Sequence, residues 1–533
     1  MGIWTALTNQ PTFNASQMIQ LTDGTIMVQE EDGADASRHW WKLTPDKFGN
    51  YINGTWSKLA DMLNSRRFYA SAVLADGRVL VAGGEYSDAG GDTDKAEIYN
   101  PVTNTWTSIG NPGWGEIGDA AATLLADGRL LAGNLVDSRT ALYNPATNSW
   151  TAAGNMAARS NEEGWTLLPD GTVLTVSCAN HPKAEKYLPA SNKWVTAGST
   201  PVELVQASSI EIGPAVLMPN GKVFCIGATG HTAIYTPPAN PADPGTWTAG
   251  PDFPKDGQGR LLKAKDAPGC LLTNGNVLCV AGPCGDNAND WASPTNFFEF
   301  DGVNLIRVSD PPNAGGVTYE GRLLIVPSGQ VLFAAGSNAI YAYTSTGSPN
   351  PAWQPVITSF PSDVQLGNTY TLTGTQLNGL SQAAMYGDDA QQATNYPLVR
   401  AQSVADGTVS YWRTANHSTM GVATGGKIVS TNVTVPSTLA PGTYQVAVVA
   451  NGIASSPVTL TVDTGFGTAQ YVLIDRYFGG GARLWAYVGG NWHGKDIAAA
   501  DLAGISEDLF EANRVDCWWS GSDLTVARGW KNL

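Results

Sequence analysis

Charge is scarce in this chain. Only 14% of its 533 residues are Asp, Glu, Lys or Arg, and the balance is acidic, 46 against 30. A net charge of −16 with no basic stripe argues against nucleic acid as a partner, because phosphate neutralisation needs clustered Lys and Arg. Long apolar runs are also missing. None approaches the ~20 residues of a membrane span, so no membrane span is expected. The first residues, Met1-Gly2-Ile3-Trp4-Thr5, have neither a basic n-region nor an apolar h-region, which predicts no signal peptide in this chain.

Metal-binding residue types are sparse. The five histidines, His39, His181, His231, His417 and His493, form no metal-spaced cluster, and each reads as a surface or satisfied histidine. The six cysteines contain no Cys-x-x-Cys pair, which argues against zinc. Cys225 and Cys279 recur five residues past a turn Asn and read as small buried hydrophobes. Cys270 and Cys279 fall opposite each other across a predicted hairpin, where a strained disulfide could form.

What the chain has is turn chemistry and aromatics: 60 Gly, 31 Pro and 18 Trp against 43% hydrophobic residues, an all-β composition. One phrase recurs seven times, an apolar strand, an Asp/Asn/Ser-Gly turn and a second apolar strand. The turns are Asp23-Gly24, Asp76-Gly77, Asp127-Gly128, Asp170-Gly171, Asn220-Gly221, Asn274-Gly275 and Ser328-Gly329, spaced by 53, 51, 43, 50, 54 and 54 residues. A Tyr- or Phe-rich strand follows, as in Ala96-Glu97-Ile98-Tyr99, and then usually a strand carrying a Trp such as Trp106, Trp150 or Trp194. Four strands per unit at a period near fifty predict a seven-bladed kelch-type β-propeller over residues 1–355. The turns read as two-residue hairpin links. Ile3-Trp4-Thr5 looks like an orphan outer strand that completes the last blade and removes a free edge.

Short alternating strands over 356–465 predict an immunoglobulin-like β-sandwich. Thr464-Gly465-Phe466-Gly467 reads as a linker. A small α+β domain is expected over 466–533, with strands at Tyr471–Ile474, Arg483–Tyr487, Val515–Trp519 and Leu524–Ala527 and a helix near 498–512. It reads as an attachment or partner-binding module.

A kelch propeller followed by an immunoglobulin-like domain resembles the galactose oxidase and glyoxal oxidase family of copper radical oxidases, over roughly residues 1–465. Tyr319-Glu320, ahead of Leu323-Leu324-Ile325-Val326-Pro327-Ser328-Gly329, matches the strand that in that family begins Tyr-His. The resemblance implies a copper-binding tyrosine at Tyr319, but Glu320 stands in place of the histidine. It implies a second histidine in the stretch Tyr386-Gly387-Asp388-Asp389-Ala390-Gln391, where Gln391 stands instead. It implies a cysteine cross-linked to a tyrosine, where this chain has Ala15 and Phe68, with Tyr69 one residue out of phase. Copper in an N/O site is held by imidazole and phenolate, and alcohol oxidation of this kind needs the cross-linked radical. No cofactor and no metal site are therefore expected.

Residues just ahead of each inner strand face a propeller's central opening. Here they include Asn14, Arg67, Tyr69, Glu116, Asp119, Glu162, Glu163, Glu211, Asp266, Tyr319 and Glu320, an acidic collar with Lys263 and Lys265 nearby. Such a collar suits a divalent cation or the hydroxyls of a sugar, or is simply a solvated funnel; Glu163 with Glu320 is a conceivable acid–base pair. Asp88, Asp92 and Asp94 look loosely like a calcium loop but lack its twelve-residue spacing. The expectation is a non-catalytic surface or assembly protein, at a virion surface or outside a cell. Its partners would be a glycan or host-surface receptor at the mouth and other assembly proteins at the C-terminal domain. The alternative is a diverged copper radical oxidase or another carbohydrate-active enzyme.

Overall fold

The computed structural model describes residues 2–31, 37–88, 90–386, 392–463, 465–477, 480–520 and 523–530. Seven of its sheets repeat one antiparallel meander in chain order. The second is typical: Ala70–Val73, Val79–Ala82, Ala96–Asn100 and Thr105–Ile109 run from the ring's axis outward. In the last sheet, Ile3–Ala6 supplies the outer strand by pairing with Tyr341–Thr344, Trp4 opposite Tyr343. First and last segments of the ring are thereby held in one sheet.

The repeated turn is a three-residue loop, not the two-residue link expected. Leu74 N–H donates to Arg78 O (2.8 Å), and Gly77 N–H donates to Leu74 O (2.9 Å). Only the glycine takes a positive φ, +84°, as a type I turn closed by a glycine bulge requires. The Asp76 carboxylate accepts Arg78 N–H (3.0 Å), and Asp23, Asp127, Asp170, Asn220 and Asn274 repeat that bond. The extra loop residue shifts the ladder by one, so Cys270 faces Leu278 and Cys279 faces Gly269. Neighbouring side chains off register cannot close a bridge, and all six cysteines are free and buried.

Trp and Tyr lock sheet to sheet. Tyr99–Trp106, Tyr143–Trp150, Tyr187–Trp194 and Tyr235–Trp247 pack as tilted pairs within their sheets, centroids 4.9–5.4 Å apart. Several indoles then donate to the preceding unit: Trp106 to Ala60 O (3.0 Å), Trp247 to Ala197 O (2.8 Å). Buried Trp pays for its size in apolar area and needs that partner for its N–H.

Two further sheets form a sandwich. One orders Val356–Ser359, Thr369–Thr375, Ile428–Thr434 and Thr414–Ala415; the other holds Val458–Asp463, Gly442–Ala450 and Leu398–Ser403. Leu372, Trp412, Val433, Val446 and Leu460 fill the space between them. An arm of this region leaves it and enters the ring. Its strand Ala384–Tyr386 pairs antiparallel with the inner strand Pro268–Leu271, Met385 opposite Gly269.

The C-terminal sheet has six strands rather than four. The expected linker is a strand, Gly465–Thr468, paired with Arg514–Ser520, and Asn491–Ile497 adds another. The helix is shorter than expected, Leu502–Phe510.

Candidate functional site

The ring's opening is closed from one side by the sandwich arm. Gln382 donates to Thr123 Oγ1 (2.9 Å) and accepts Leu167 N–H (2.8 Å). Gln392 donates to Met18 O (2.8 Å), and Tyr386 Oη donates to Tyr319 O (2.7 Å). Those four acceptors and donors sit on or beside inner strands spread around the ring, and the arm residues are buried. The mouth is thus a cup with a protein floor rather than a through-channel.

Above that floor stand aromatic rings. Phe68 and Tyr86 flank the inner hairpin of the second sheet, Trp291 rides the loop after Val277–Ala281, and Tyr319 sits in the short helical turn Thr318–Glu320. Ring centroids run Trp291–Tyr319 4.9 Å, Tyr319–Phe68 6.4 Å and Phe68–Tyr86 6.1 Å, a continuous wall. Phe68 and Tyr86 both hold positive φ, +47° and +50°. A bulky residue in that region is strained, and such strain gathers at sites that bind or react. Tyr86 is 50% exposed.

Charged groups are woven between the rings. The Arg67 guanidinium pairs with Glu31 (2.5 Å) and lies 4.9 Å from the Phe68 centroid. Arg322, buried, donates to Tyr319 O (2.7 Å) and Gly321 O (2.9 Å). Its guanidinium sits 3.7 Å over the Tyr386 ring and 5.6 Å from Phe68. Arg67, Phe68 and Arg322 line a small cavity of about 10 Å³ with Gln17 and Gln29, room for one water. Lys265 lies 4.1 Å over Trp291 and donates to Ala288 O (2.7 Å). Burial lowers its pKa, and the charges of Glu211 and Asp266 act against that shift. Burial raises the pKa of Tyr319, with Glu320 adding to the shift. Burial also raises that of Glu320, with the charge of Glu31 adding.

The anticipated collar is divided by this geometry. Arg67, Tyr319 and Glu320 belong to the aromatic wall. Tyr69 is buried and donates to Gln29 Oε1 (2.6 Å). Glu163 is fully buried, accepting Cys178 N–H (2.9 Å) and Trp165 Nε1–H (3.4 Å). Both are thus held by partners inside the ring, and Glu163 does not face solvent beside Glu320. Asp119 is also buried. Glu116 raises the pKa of Asp92 after burial has done so, which places it beside that loop. Glu162 and Asp266 share the strained positive φ of Phe68 at matching places, +56° and +45°. Glu211 bridges to Gln206. Asp88 accepts Ser65 N–H and Oγ–H, while Asp94 takes Asn111 and Lys95, so these carboxylates do not converge.

Glu31, Tyr86, Trp291 and Arg322 also stand at the mouth and do not announce themselves in the sequence. For the first three the signal was topological: in a meander the exit of the second strand shares a side with the entry of the first, so the loops after Ile26–Glu30, Val79–Ala82 and Val277–Ala281 also reach the mouth.

A copper centre does not fit these residues. Ala15 is buried and carries no sulfur, Phe68 carries no phenol, and two guanidiniums lie against the Phe68 ring. Among the described residues no three His, Cys, Asp or Glu side chains converge as metal ligands. The stretch containing Gln391 lies outside the described residues. The histidines are engaged elsewhere: His39 with Asp61, His181 with Glu203, His231 with Asp252, His417 with Thr431, and His493 stacked on Trp519.

The sheets and their sequel define a galactose oxidase-like kelch fold. The kelch motif profile matches residues 66–113. Galactose oxidase of Gibberella zeae is 41% identical over 58 residues, 11% of this chain and 8% of that protein. The kelch-like protein terF of Aspergillus terreus is 30% identical over 128 residues, 23% of this chain and 26% of that protein. The chain therefore spans only a small part of the curated relatives it matches. A solved fungal alcohol oxidase of the AA5 family, in complex with copper, superposes with a TM-score of 0.51 at 14% identity, covering 86% of this chain and 99% of that one. At that identity the likeness is one of fold.

Proposed function

We propose that the propeller mouth binds carbohydrate without turning it over, and that the protein is a surface or assembly component presenting that mouth. The observation that carries this reading is the wall of Trp291, Tyr319, Phe68 and Tyr86 interleaved with Arg67, Glu31 and Glu320. Sugars offer apolar C–H faces and polar hydroxyl edges. Flat rings beside fixed donors and acceptors complement both. The floor supplied by the sandwich arm suits a chain end or a branch rather than a threaded polymer. Residence at a virion surface or outside a cell, with the C-terminal domain as the attachment, belongs to the same proposal.

A glycan array probed with the intact protein tests it, followed by calorimetric titration of the best hit. Tyr86→Ala and Trp291→Ala should each weaken binding about tenfold, the size expected for a central aromatic contact. Glu320→Ala should weaken binding with little change in thermal midpoint, since burial of its carboxyl is itself unfavourable. Binding untouched by all three variants would refute the reading. Peroxide formed from alcohols after copper loading would replace it with a diverged oxidase.

A further inference from the structure

The C-terminal sheet has a covered face and an open one. Helix Leu502–Phe510 packs over the first, where Leu484, Ala486 and Leu524 are buried. Strand alternation sends Tyr471, Trp485, Tyr487 and Trp492 to the other. Tyr471 is 65% and Trp492 43% exposed.

These rings form rows across three neighbouring strands. In the first row Tyr471 pairs with Tyr487 and Tyr487 with Trp492, at centroid separations of 6.1 and 5.3 Å. In the second, Trp485 lies across Gly494, where an added Cβ would come within 2.7 Å of its ring. The third row is charged: Asp475, Arg483 and Asp496. That row holds the second in place. Asp475 accepts Trp485 Nε1–H (3.0 Å), Arg483 pairs with Asp496 (3.0 Å), and its guanidinium lies 4.7 Å over Trp485.

We infer that this face is a second carbohydrate site, which binds a single soluble chain of equatorially linked hexoses. Charge and polarity decide the occupant. A protein interface core or a lipid surface would have to desolvate the Asp475–Arg483–Asp496 row. A sugar chain instead lays its C–H faces on the rings and its hydroxyls against the carboxylates and guanidinium. Ring tilt narrows the class further. Tyr471 and Trp492 are inclined 46° and 57° to Tyr487, following the twist of the sheet. Rings so inclined cannot all lie flat on one crystalline surface. A free chain, which rotates from sugar to sugar, can meet each in turn. The inference stands on residues far from the mouth and does not depend on the mouth's ligand.

The test is calorimetric titration of the intact protein with cellohexaose, mannohexaose and chitohexaose, read in parallel by tryptophan fluorescence. At least one should bind and quench. Trp492→Ala and Tyr487→Ala should each weaken that binding about tenfold. Tyr471→Ala, at the exposed edge, repeats the test with least risk to folding, and an unchanged thermal midpoint qualifies every variant. Absence of binding by all three hexasaccharides would overturn the inference. So would binding lost in Tyr86→Ala but kept in Trp492→Ala. A change of oligomeric state in Trp492→Ala by sedimentation velocity would give the face to a second copy and overturn it too.

Discussion

His417 shows how a single buried group writes a pH dependence into this fold. It lies buried, its Nδ1 2.9 Å from Thr431 Oγ1 and its ring stacked on Tyr396 at 6.2 Å. Burial lowers its pKa from 6.5 to about 4. A folded pKa below the unfolded one means the unfolded chain binds the proton first. Stability from this group is therefore intact above pH ~6.5 and lost as pH falls toward 4. The loss should amount to about 3 kcal/mol by pH 4. His417→Phe keeps the stack and removes the titration. Denaturant midpoints taken between pH 7 and pH 4 should fall less steeply for the variant than for the parent; parallel slopes would show that His417 is not the proton acceptor. The same residue scale explains the mouth. Tyr319 and Glu320 could be picked out because the motif around them is local. Arg322 could not, because its contact with Tyr386 joins residues 64 positions apart.

At the scale of elements, the turns were legible and their register was not. Asp or Asn before Gly announces a reversal, and every one of the seven glycines has positive φ, from +78° to +90°. Whether two or three residues make the loop depends on the φ of the residue before Gly, which residue type does not fix. One added residue was enough to separate Cys270 from Cys279. The tail's extra strands escaped notice for another reason. Gly465–Thr468 is half glycine and Asn491–Ile497 is mostly polar, so neither carries an apolar alternation. The outer strand Ile3–Ala6 was legible from its Trp alone. Trp4 packs against Tyr343 at 4.8 Å, Phe297 at 5.1 Å and Phe333 at 6.0 Å, and its Nε1 donates to Ser309 O (2.7 Å). Trp4→Ala should cost about 3 kcal/mol, because it empties the seam between the ring's last two sheets. Urea unfolding should show a lowered midpoint; a shift below about 0.5 kcal/mol would mean that the strand does not lock the ring.

At the scale of the molecule, one scaffold has been fitted with a different interior. The ring, the sandwich and the arm reaching between them follow the copper oxidases in fold, to the extent that the superposition covers nearly all of a fungal alcohol oxidase. Phe68 and Glu320 stand where the resemblance implies a phenol and an imidazole, and the guanidiniums of Arg67 and Arg322 flank the Phe68 ring. Electrostatics of this kind cannot be tuned by small movements, since both guanidiniums are anchored, one by Glu31 and the other by backbone carbonyls. The account rests on that exchange of charge. Its most direct test is the metal content of the intact protein after incubation with Cu(II) and removal of unbound ion, read by plasma mass spectrometry. The predicted result is copper far below stoichiometry and unchanged by Tyr319→Phe; one tightly held copper per chain, lost in Tyr319→Phe, would contradict it.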